Sequence, residues 1–451
     1  MTSSLKKLAI RGSAWTIIGY GTSQTFRFAG NLILTRLLAP EYFGIMAIVN
    51  TIRMGLELLS DIGITQNVVR SERGDEQAFL NTAWTISLIR GLGLWFVLLL
   101  LSWPISRFYE NPVMFPALVA IGLVSPLRGA VSPQLYTLNR HMMLGKMTLL
   151  DLSTQVIALS TMVILSLFYP SIWALIIGDL VGQTYRTVMS YFIGPQDKHY
   201  LCLEKKAKEE IIGFGRWIFV SSVVLFLSEQ SDRLILGKLI PLDILGVYSI
   251  AYVLANLPVK ITRQMGFKVI FPLVSKQIHL PRKELKQKLN KNRWKLHLVL
   301  LSILAFLAGL GDLLIEFLYD SRYEQAAWML PILALGAWFS ALFFVASPCI
   351  LALGKPVYNA KSRVFRLFLV AFGLPIGFKL AGIFGSILVV SLGDLPAYIV
   401  IQYHLMKEGI GSLKQDISAS FILIGMILVI YTIRELMGVG RIFDSVFINV
   451  N

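Results

Sequence analysis

Apolar residues run along this chain in long blocks separated by short polar segments. Thirteen windows are long and apolar enough to cross a bilayer as helices, which takes about 20 residues. They lie near 12–35, 43–65, 79–103, 112–136, 147–168, 171–193, 212–237, 243–271, 295–319, 327–353, 357–380, 382–406 and 417–437. The cleanest runs are 92–103, 154–168, 296–310 and 421–431. Pro104, Pro112, Pro170, Pro241, Pro281 and Pro356 fall at or near the predicted ends, where a missing N–H costs little. The pattern predicts an all-α polytopic membrane protein with about 12–14 spans.

The chain also repeats itself. Residues 31–45 read NLILTRLLAPEYFGI and residues 233–247 read RLILGKLIPLDILGV, in register without a gap at an offset of 202 (233 − 31). Leu32-Ile33-Leu34 recurs as Leu234-Ile235-Leu236, Arg36 as Lys238, Glu41 as Asp243, Gly44 as Gly246 and Trp15 as Trp217. Six spans precede the loop 198–208 and six follow it. An even number of spans per repeat makes the repeats parallel, related by an axis along the membrane normal. The organisation predicted is two parallel six-helix lobes around a central cavity, 1–196 and 197–407, with an additional helix and tail over 408–451.

Composition excludes a soluble enzyme on an anchor. The 451 residues are 55% hydrophobic and only 15% charged, against about 25% charged in soluble domains. A net charge of +16 raises the question of nucleic acid, but the basic residues crowd alternate loops, as the positive-inside rule requires. Lys6, Lys7, Arg11, Arg70, Arg73, Arg140, Lys146, the clusters 198–216 and 268–295, Lys355, Lys361, Arg363, Arg366, Lys407 and Lys414 fall on one side. Arg36, Arg107, Lys238, Arg322, Lys379, Arg434 and Arg441 are scattered over the other. This predicts a multi-pass protein of the cytoplasmic membrane with a cytoplasmic N-terminus. The basic N-terminal stretch reads as the lead into the first span, because no cleavage site follows a short apolar core.

The segment 283–296 (KELKQKLNKNRWKL) carries Leu285, Leu289 and Leu296 at helical spacing with lysines between. It reads either as an amphipathic helix on an anionic inner leaflet or as a solvated loop. Cys202 and Cys349 are the only cysteines, and a structural disulfide between a loop and a span is not expected.

No catalytic motif is present: no phosphate loop, His-Glu-x-x-His, Gly-x-Ser-x-Gly or Cys-x-x-Cys. His141, His199, His279, His297 and His404 lie at no metal-ligand spacing, so no metal or cofactor is expected. The chemistry lies in charges inside the spans. An ionised group at the bilayer centre costs about 2.5–3.5 kcal/mol on insertion scales, so it needs a partner or a water-filled cavity. The candidates are Arg27 in the first span and Arg53, Glu57 and Asp61 at i, i+4, i+8 in the second. Glu229, Asp232 and Arg233 cluster in the seventh, and Lys260 and Arg263 share a stripe with Asn256 in the eighth, kinked by Pro258. Arg90, Arg128, Asp179 and Arg186 add charge in the third, fourth and sixth. Cations outnumber anions, so internal pairing leaves positive charge over. Such a surplus suits an anion, and arginine suits phosphate because its planar fork donates bidentately. Arg27, Arg53, Arg90, Arg128, Arg233, Lys260 and Arg263 are therefore the candidate substrate-binding residues. Glu57, Asp61, Glu229 and Asp232 are the candidates for ion coupling or gating, with H⁺ or Na⁺ both open.

The start of the chain, Gly-Ser-Ala-Trp followed by Thr-Arg-Leu-Leu-Ala-Pro-Glu-Tyr-Phe-Gly (35–44) and Asp61-Ile-Gly-Ile, resembles one branch of a transporter superfamily. It is the polysaccharide-transporter branch of the multidrug/oligosaccharidyl-lipid/polysaccharide exporter superfamily. The resemblance implies two six-helix lobes whose first, second, seventh and eighth helices line a cavity. It also implies a flippase moving a polyprenyl-pyrophosphate-linked oligosaccharide by alternating access for surface polysaccharide export. Membrane lipids and other polysaccharide-assembly proteins are the implied partners, not nucleic acid. A cation-coupled drug or small-solute antiporter of the same superfamily is the first alternative, and a membrane polysaccharide polymerase or ligase the second. Thirteen spans depart from the even number usual in that family. At the repeat offset Arg27 aligns with Glu229 and Asp61 with Arg263. Opposite charges at equivalent positions predict a latch between lobes, set against pairing of each charge within its own lobe.

Overall fold

In the computed structural model, residues 2–141, 143–193 and 199–438 are described, and the predicted tail at 441–451 lies outside them. The side chains of Trp15 and Trp217, which mark the repeat, also lie outside the described set. Every regular element among the described residues is helical. The helices are α1 Thr2–Leu37, α2 Pro40–Leu59, α3 Ile64–Arg70, α4 Gln77–Phe108, α5 Met114–Gly122, α6 Val124–Gly129, α7 Gln134–Arg140, α8 Leu144–Phe168 and α9 Ile172–Ile193. They continue as α10 Lys205–Leu239, α11 Leu242–Ala255, α12 Leu257–Met265, α13 Phe271–Lys276, α14 Arg282–Leu318, α15 Ala326–Ala352, α16 Pro356–Leu392, α17 Leu395–Lys407 and α18 Leu413–Leu436. The chain divides into two compact units, 1–223 and 224–451, with the division inside α10.

Each predicted span coincides with a helix or a broken helix. Seven helices among the described residues are long and apolar enough to cross a membrane, or nine if each bent pair counts as one span. Two of the bends have visible causes. The fourth span breaks into α5, α6 and α7 and bends by 63° between α6 and α7, where Pro133 at the break has no N–H to give to a helical ladder. The eighth bends by 43° between α11 and α12, with Pro258 in the first turn after the break. The uninterrupted stretch 356–407 divides at Ala381–Gly382, where Gly382 takes φ +57°. This matches the boundary read between the eleventh and twelfth windows. The predicted spans in α1, α9 and α10 are less apolar because they carry the intramembrane charges Arg27, Asp179, Arg186, Glu229, Asp232 and Arg233.

In unit 1, α8 packs along both α1 and α9, and α4 packs on α5 and α6. Close approach of α4 and α6 depends on two glycines. A β-carbon on Gly91 would lie 2.5 Å from the Ser125 carbonyl oxygen, and one on Gly129 2.4 Å from that of Ser87. Outside the spans, Arg73 bridges Glu76 and Glu204, and those carboxylate hydrogen bonds raise its pKa further above the usual guanidinium range. The extended stretch before α10 is pinned to α4, with Cys202 N–H donating to Thr85 Oγ1 and Glu204 N–H to Thr82 Oγ1.

In unit 2, α15 is apolar on all faces and almost wholly buried, as expected of a helix surrounded by others. α11, α12, α14, α16 and α17 pack on it. The amphipathic segment is not a separate surface helix. It forms the first turns of α14, whose Leu285, Leu289, Arg293 and His297 make one buried stripe at i, i+4, i+8, i+12. Protein rather than lipid covers its apolar face, because Leu285 and Leu289 enter the core of the unit. Two buried ion pairs tie α18 to α14. Arg293 donates to both carboxylate oxygens of Asp416 (2.9 and 3.1 Å), and Arg434 to both of Asp312 (2.7 and 2.6 Å). The Tyr398 hydroxyl adds a bond to Asp416 at 2.7 Å.

Candidate anion-binding site

Helical spacing begins the site in unit 1. Arg53 and Glu57 lie one turn apart on α2 and pair at 2.8 Å. Asp61 does not continue their face. The helix ends at Leu59 with Ser60 as its C-cap, and Gly63 takes a left-handed φ of +64°. Asp61 Oδ1 accepts from the Gly63 N–H at 2.9 Å, so this carboxylate shapes the turn. Arg90, from α4, donates through Nε to Ser60 Oγ (2.9 Å) and through Nη2 to the Glu57 carbonyl (2.7 Å). It caps the C-terminal end of α2, where the last carbonyls lack helical partners.

The short helix α6, held against α4 by Gly91 and Gly129, carries Arg128 to the same carboxylate. Arg128 Nη1 donates to Glu57 Oε2 at 2.6 Å, and its Nε lies 3.4 Å from Gln183 Oε1 on α9. A cavity of about 590 Å³ opens beside this pair, walled by α1, α2, α6, α8 and α9. Gln155 of α8 bonds both the hydroxyl and the carbonyl of Ser23 on α1, fixing one wall. Into the cavity face Arg27, Arg53, Arg128 and Arg186, against the carboxylates Asp151 and Asp179. Asp151 pairs with Arg186 at 3.0 Å, while Arg27 is exposed and forms no ion pair among the described residues. The Nε of Arg53 is buried without a hydrogen-bond partner among the described residues. Guanidinium groups thus outnumber carboxylates in this cavity. A second cavity of about 340 Å³ lies between α2, α4, α6 and α7 and is bordered by Glu57, Asp61, Arg90 and Arg128.

Unit 2 gathers another set. Glu229 of α10 binds Arg263 of α12 through two contacts of 2.6 and 3.4 Å, and the Arg263 guanidinium lies 4.2 Å from the ring centre of Phe344. The i, i+4 spacing of Glu229 and Arg233 does not make a pair. Arg233 turns to Gln230 (3.1 Å) and the face of Tyr252 (5.4 Å). Lys260 is exposed on α12. Asp232 is buried, with Oδ2 accepting from the Tyr248 hydroxyl at 2.6 Å and Oδ1 lacking a hydrogen bond. Three of the four aligned charges of the expected latch are engaged inside their own units, since Arg263 holds Glu229 and Asp61 holds its own turn.

Three further residues join this cluster, two of them on the side where charge counting places loop residues. Arg363 and Arg366 are not loop charges. Both are buried on α16 and pair with Asp394 at 3.1 and 2.9 Å. Arg363 Nη2 also approaches Glu229 Oε1 at 3.8 Å, and its guanidinium lies 4.1 Å from the ring centre of Phe343. Asp394 accepts a short bond from the Ser340 hydroxyl as well. Lone acidic residues between apolar runs, Asp151 and Asp394 among them, were the available signal.

The sequence profile of a family described as polysaccharide biosynthesis protein matches residues 33–328. Lipopolysaccharide biosynthesis protein WzxC of Escherichia coli (strain K12) is 23% identical over 91% of this chain and 83% of its own length. Succinoglycan biosynthesis transport protein ExoT of Rhizobium meliloti (strain 1021) is 22% identical over 73% of this chain and 66% of its own. Among solved structures, the lipid II flippase MurJ in an inward closed conformation aligns with a TM-score of 0.75 at 14% identity, covering 93% of this chain and 92% of that one. The likeness extends through both units, and the fold is the all-α, two-lobed transporter fold.

Proposed function

Because the chain belongs to the polysaccharide biosynthesis protein family, in the polysaccharide-transporter branch of its exporter superfamily, we propose that its cationic cavity receives the pyrophosphate of a lipid-linked glycan. The protein is a multi-pass membrane flippase. It moves a polyprenyl-pyrophosphate-linked oligosaccharide across the bilayer by alternating access, for export of a surface polysaccharide. The observation that carries the reading is the unit 1 cavity, where Arg27, Arg53, Arg128 and Arg186 face two carboxylates. Bidentate guanidinium contacts match the geminal oxygens of a phosphate, and the prenyl tail stays in the hydrocarbon. No covalent step is needed. Binding, reorientation and release complete the cycle, so the protein acts as a transporter and not an enzyme.

The membrane is the cytoplasmic one, with the N-terminus inside, a reading supported by the clustering of lysine and arginine in alternate loops. Coupling to H⁺ or Na⁺ falls best on Asp232. It is buried, and among the described residues it has one unbonded oxygen and forms no arginine ion pair, whereas Glu57 and Glu229 are each held by arginine. A drug antiporter would need an apolar or acidic cavity, and the surplus of guanidinium groups opposes that. Single replacement of Arg27, Arg53 and Arg263 by alanine tests the reading through surface polysaccharide measured at matched membrane expression. A loss of export in at least the two cavity variants Arg27→Ala and Arg53→Ala is expected, and full export in all three would overturn the reading.

A further inference from the structure

Among the described residues, the same local device occurs in each unit. In unit 1, Glu57 lies between Arg53, whose side chain is 13% exposed, and Arg128, which is 50% exposed. In unit 2, Glu229 lies between Arg363, 9% exposed, and Arg263, 43% exposed. Each time a half-buried carboxylate joins one guanidinium open to solvent to one sunk in protein. The two triads are not copies made by the repeat. At the offset of 202, Glu57 falls on Val259 and Glu229 on Arg27. Different helices, α2 and α6 in one unit and α10, α12 and α16 in the other, have arrived at one arrangement.

Resting on the flippase reading above, we infer that Glu57 and Glu229 are internal anion surrogates. Each occupies the outer arginine in place of substrate phosphate and gives it up when the phosphate arrives. The geometry supplies both halves of that exchange. The outer arginine reaches solvent, so an incoming anion can take its donors. The displaced carboxylate is not stranded, which would cost several kcal/mol for a buried charge, because the inner arginine already faces it. In unit 1 the two oxygens are divided, Oε1 to Arg53 at 2.8 Å and Oε2 to Arg128 at 2.6 Å. In unit 2, Oε1 is 2.6 Å from Arg263 and 3.8 Å from Arg363, and a small rotation closes the second contact. Arg363 presents Nη2 to Glu229 while its Nη1 holds Asp394, so it can accept the displaced carboxylate without leaving Asp394. The surrogate keeps the empty site electrostatically satisfied and lowers substrate affinity, which favours release.

The test uses the full-length protein, purified, with farnesyl pyrophosphate as probe and farnesol as its uncharged control. Glu57→Gln and Glu229→Gln keep side-chain shape but remove the competing charge. Each should bind farnesyl pyrophosphate about tenfold tighter than the unaltered protein, the size of one charge-assisted hydrogen bond, with farnesol unchanged. Arg363→Gln touches no probe, yet should weaken pyrophosphate binding by stranding displaced Glu229, and adding Glu229→Gln should cancel that loss. A purely structural role predicts that neutralising the carboxylates leaves affinity unchanged or reduces it, and that result overturns the surrogate role. It does so without touching the flippase reading, provided Arg128→Gln and Arg263→Gln weaken pyrophosphate binding to the otherwise unaltered protein. If the unaltered protein does not prefer farnesyl pyrophosphate to farnesol, the cationic-site reading falls and the surrogate role falls with it. Should a glutamine variant not fold, the other unit's variant and Arg363→Gln still decide the matter.

Discussion

Replacing Asp416 with alanine removes the acceptor that holds α18 to α14. Arg293 and Asp416 are the most completely enclosed ion pair described, with side chains 4% and 2% exposed. The carboxylate also accepts from Tyr398, and His297, fully buried, lies 3.9 Å from it. Removing one partner leaves a guanidinium without a counter-charge in a water-poor interior, at a cost of about 3–5 kcal/mol. With about 2–4 °C of melting temperature per kcal/mol for domains near this size, Asp416→Ala should lower the melting temperature by about 6–20 °C. The assay is thermal unfolding of purified protein at one detergent concentration, read by loss of monodispersity. The control is the double variant Arg293→Met, Asp416→Leu, which replaces both charges with apolar groups of similar size. Such exchanges are close to neutral in other proteins, so the double variant should melt well above the single one. If Asp416→Ala melts within 2 °C of the unaltered protein, or the double variant is the less stable of the two, the pair does not anchor α18 as described.

Gly129→Val places branched carbon against the Ser87 carbonyl, where even a β-carbon would sit at 2.4 Å. It should push α6 off α4, separate Arg128 from Glu57 and abolish polysaccharide export. Gly93→Ala, on the same α4 but with nothing within 4 Å of its β-carbon, should export normally, and equal loss in both would discount the close-approach account. Asp232→Asn removes the proposed ion-binding charge while keeping the Tyr248 contact possible. Transport by this variant should no longer respond to an imposed pH or Na⁺ gradient, and an unaltered response would move the coupling site elsewhere.

Long apolar windows made the helices legible, because a span needs little beyond length and hydropathy. The kink at Pro258 could be read from residue type, and the division near Gly382 from the boundary between two apolar windows. The window for the second span overruns its helix because Asp61 keeps the i+4 spacing of Arg53 and Glu57, while Ser60 and Gly63 end the helix before it. Arg363 and Arg366 look like loop charges in the sequence because they follow Lys355 and Lys361 closely. Only the tertiary pairing with Asp394 shows that α16 carries them inward. Arg293 and Arg434 misled the charge count in the same way, each being buried against an acid more than a hundred residues away. Which carboxylate meets which arginine is a long-range fact. Arg53 and Glu57 were legible from helical spacing, but Arg128 reaches Glu57 across 71 residues and Arg263 reaches Glu229 across 34.

Flipping in a defined membrane tests the central claim directly. Full-length protein is reconstituted into proteoliposomes with a fluorescent prenyl-pyrophosphate disaccharide, and transfer between leaflets is followed by a membrane-impermeant quencher. The unaltered protein should speed transfer over protein-free vesicles, and Arg53→Ala and Arg128→Ala, equally incorporated, should fall to near the protein-free rate. Transfer no faster than in empty vesicles under any ion gradient, or equal transfer by the arginine variants, would contradict the account.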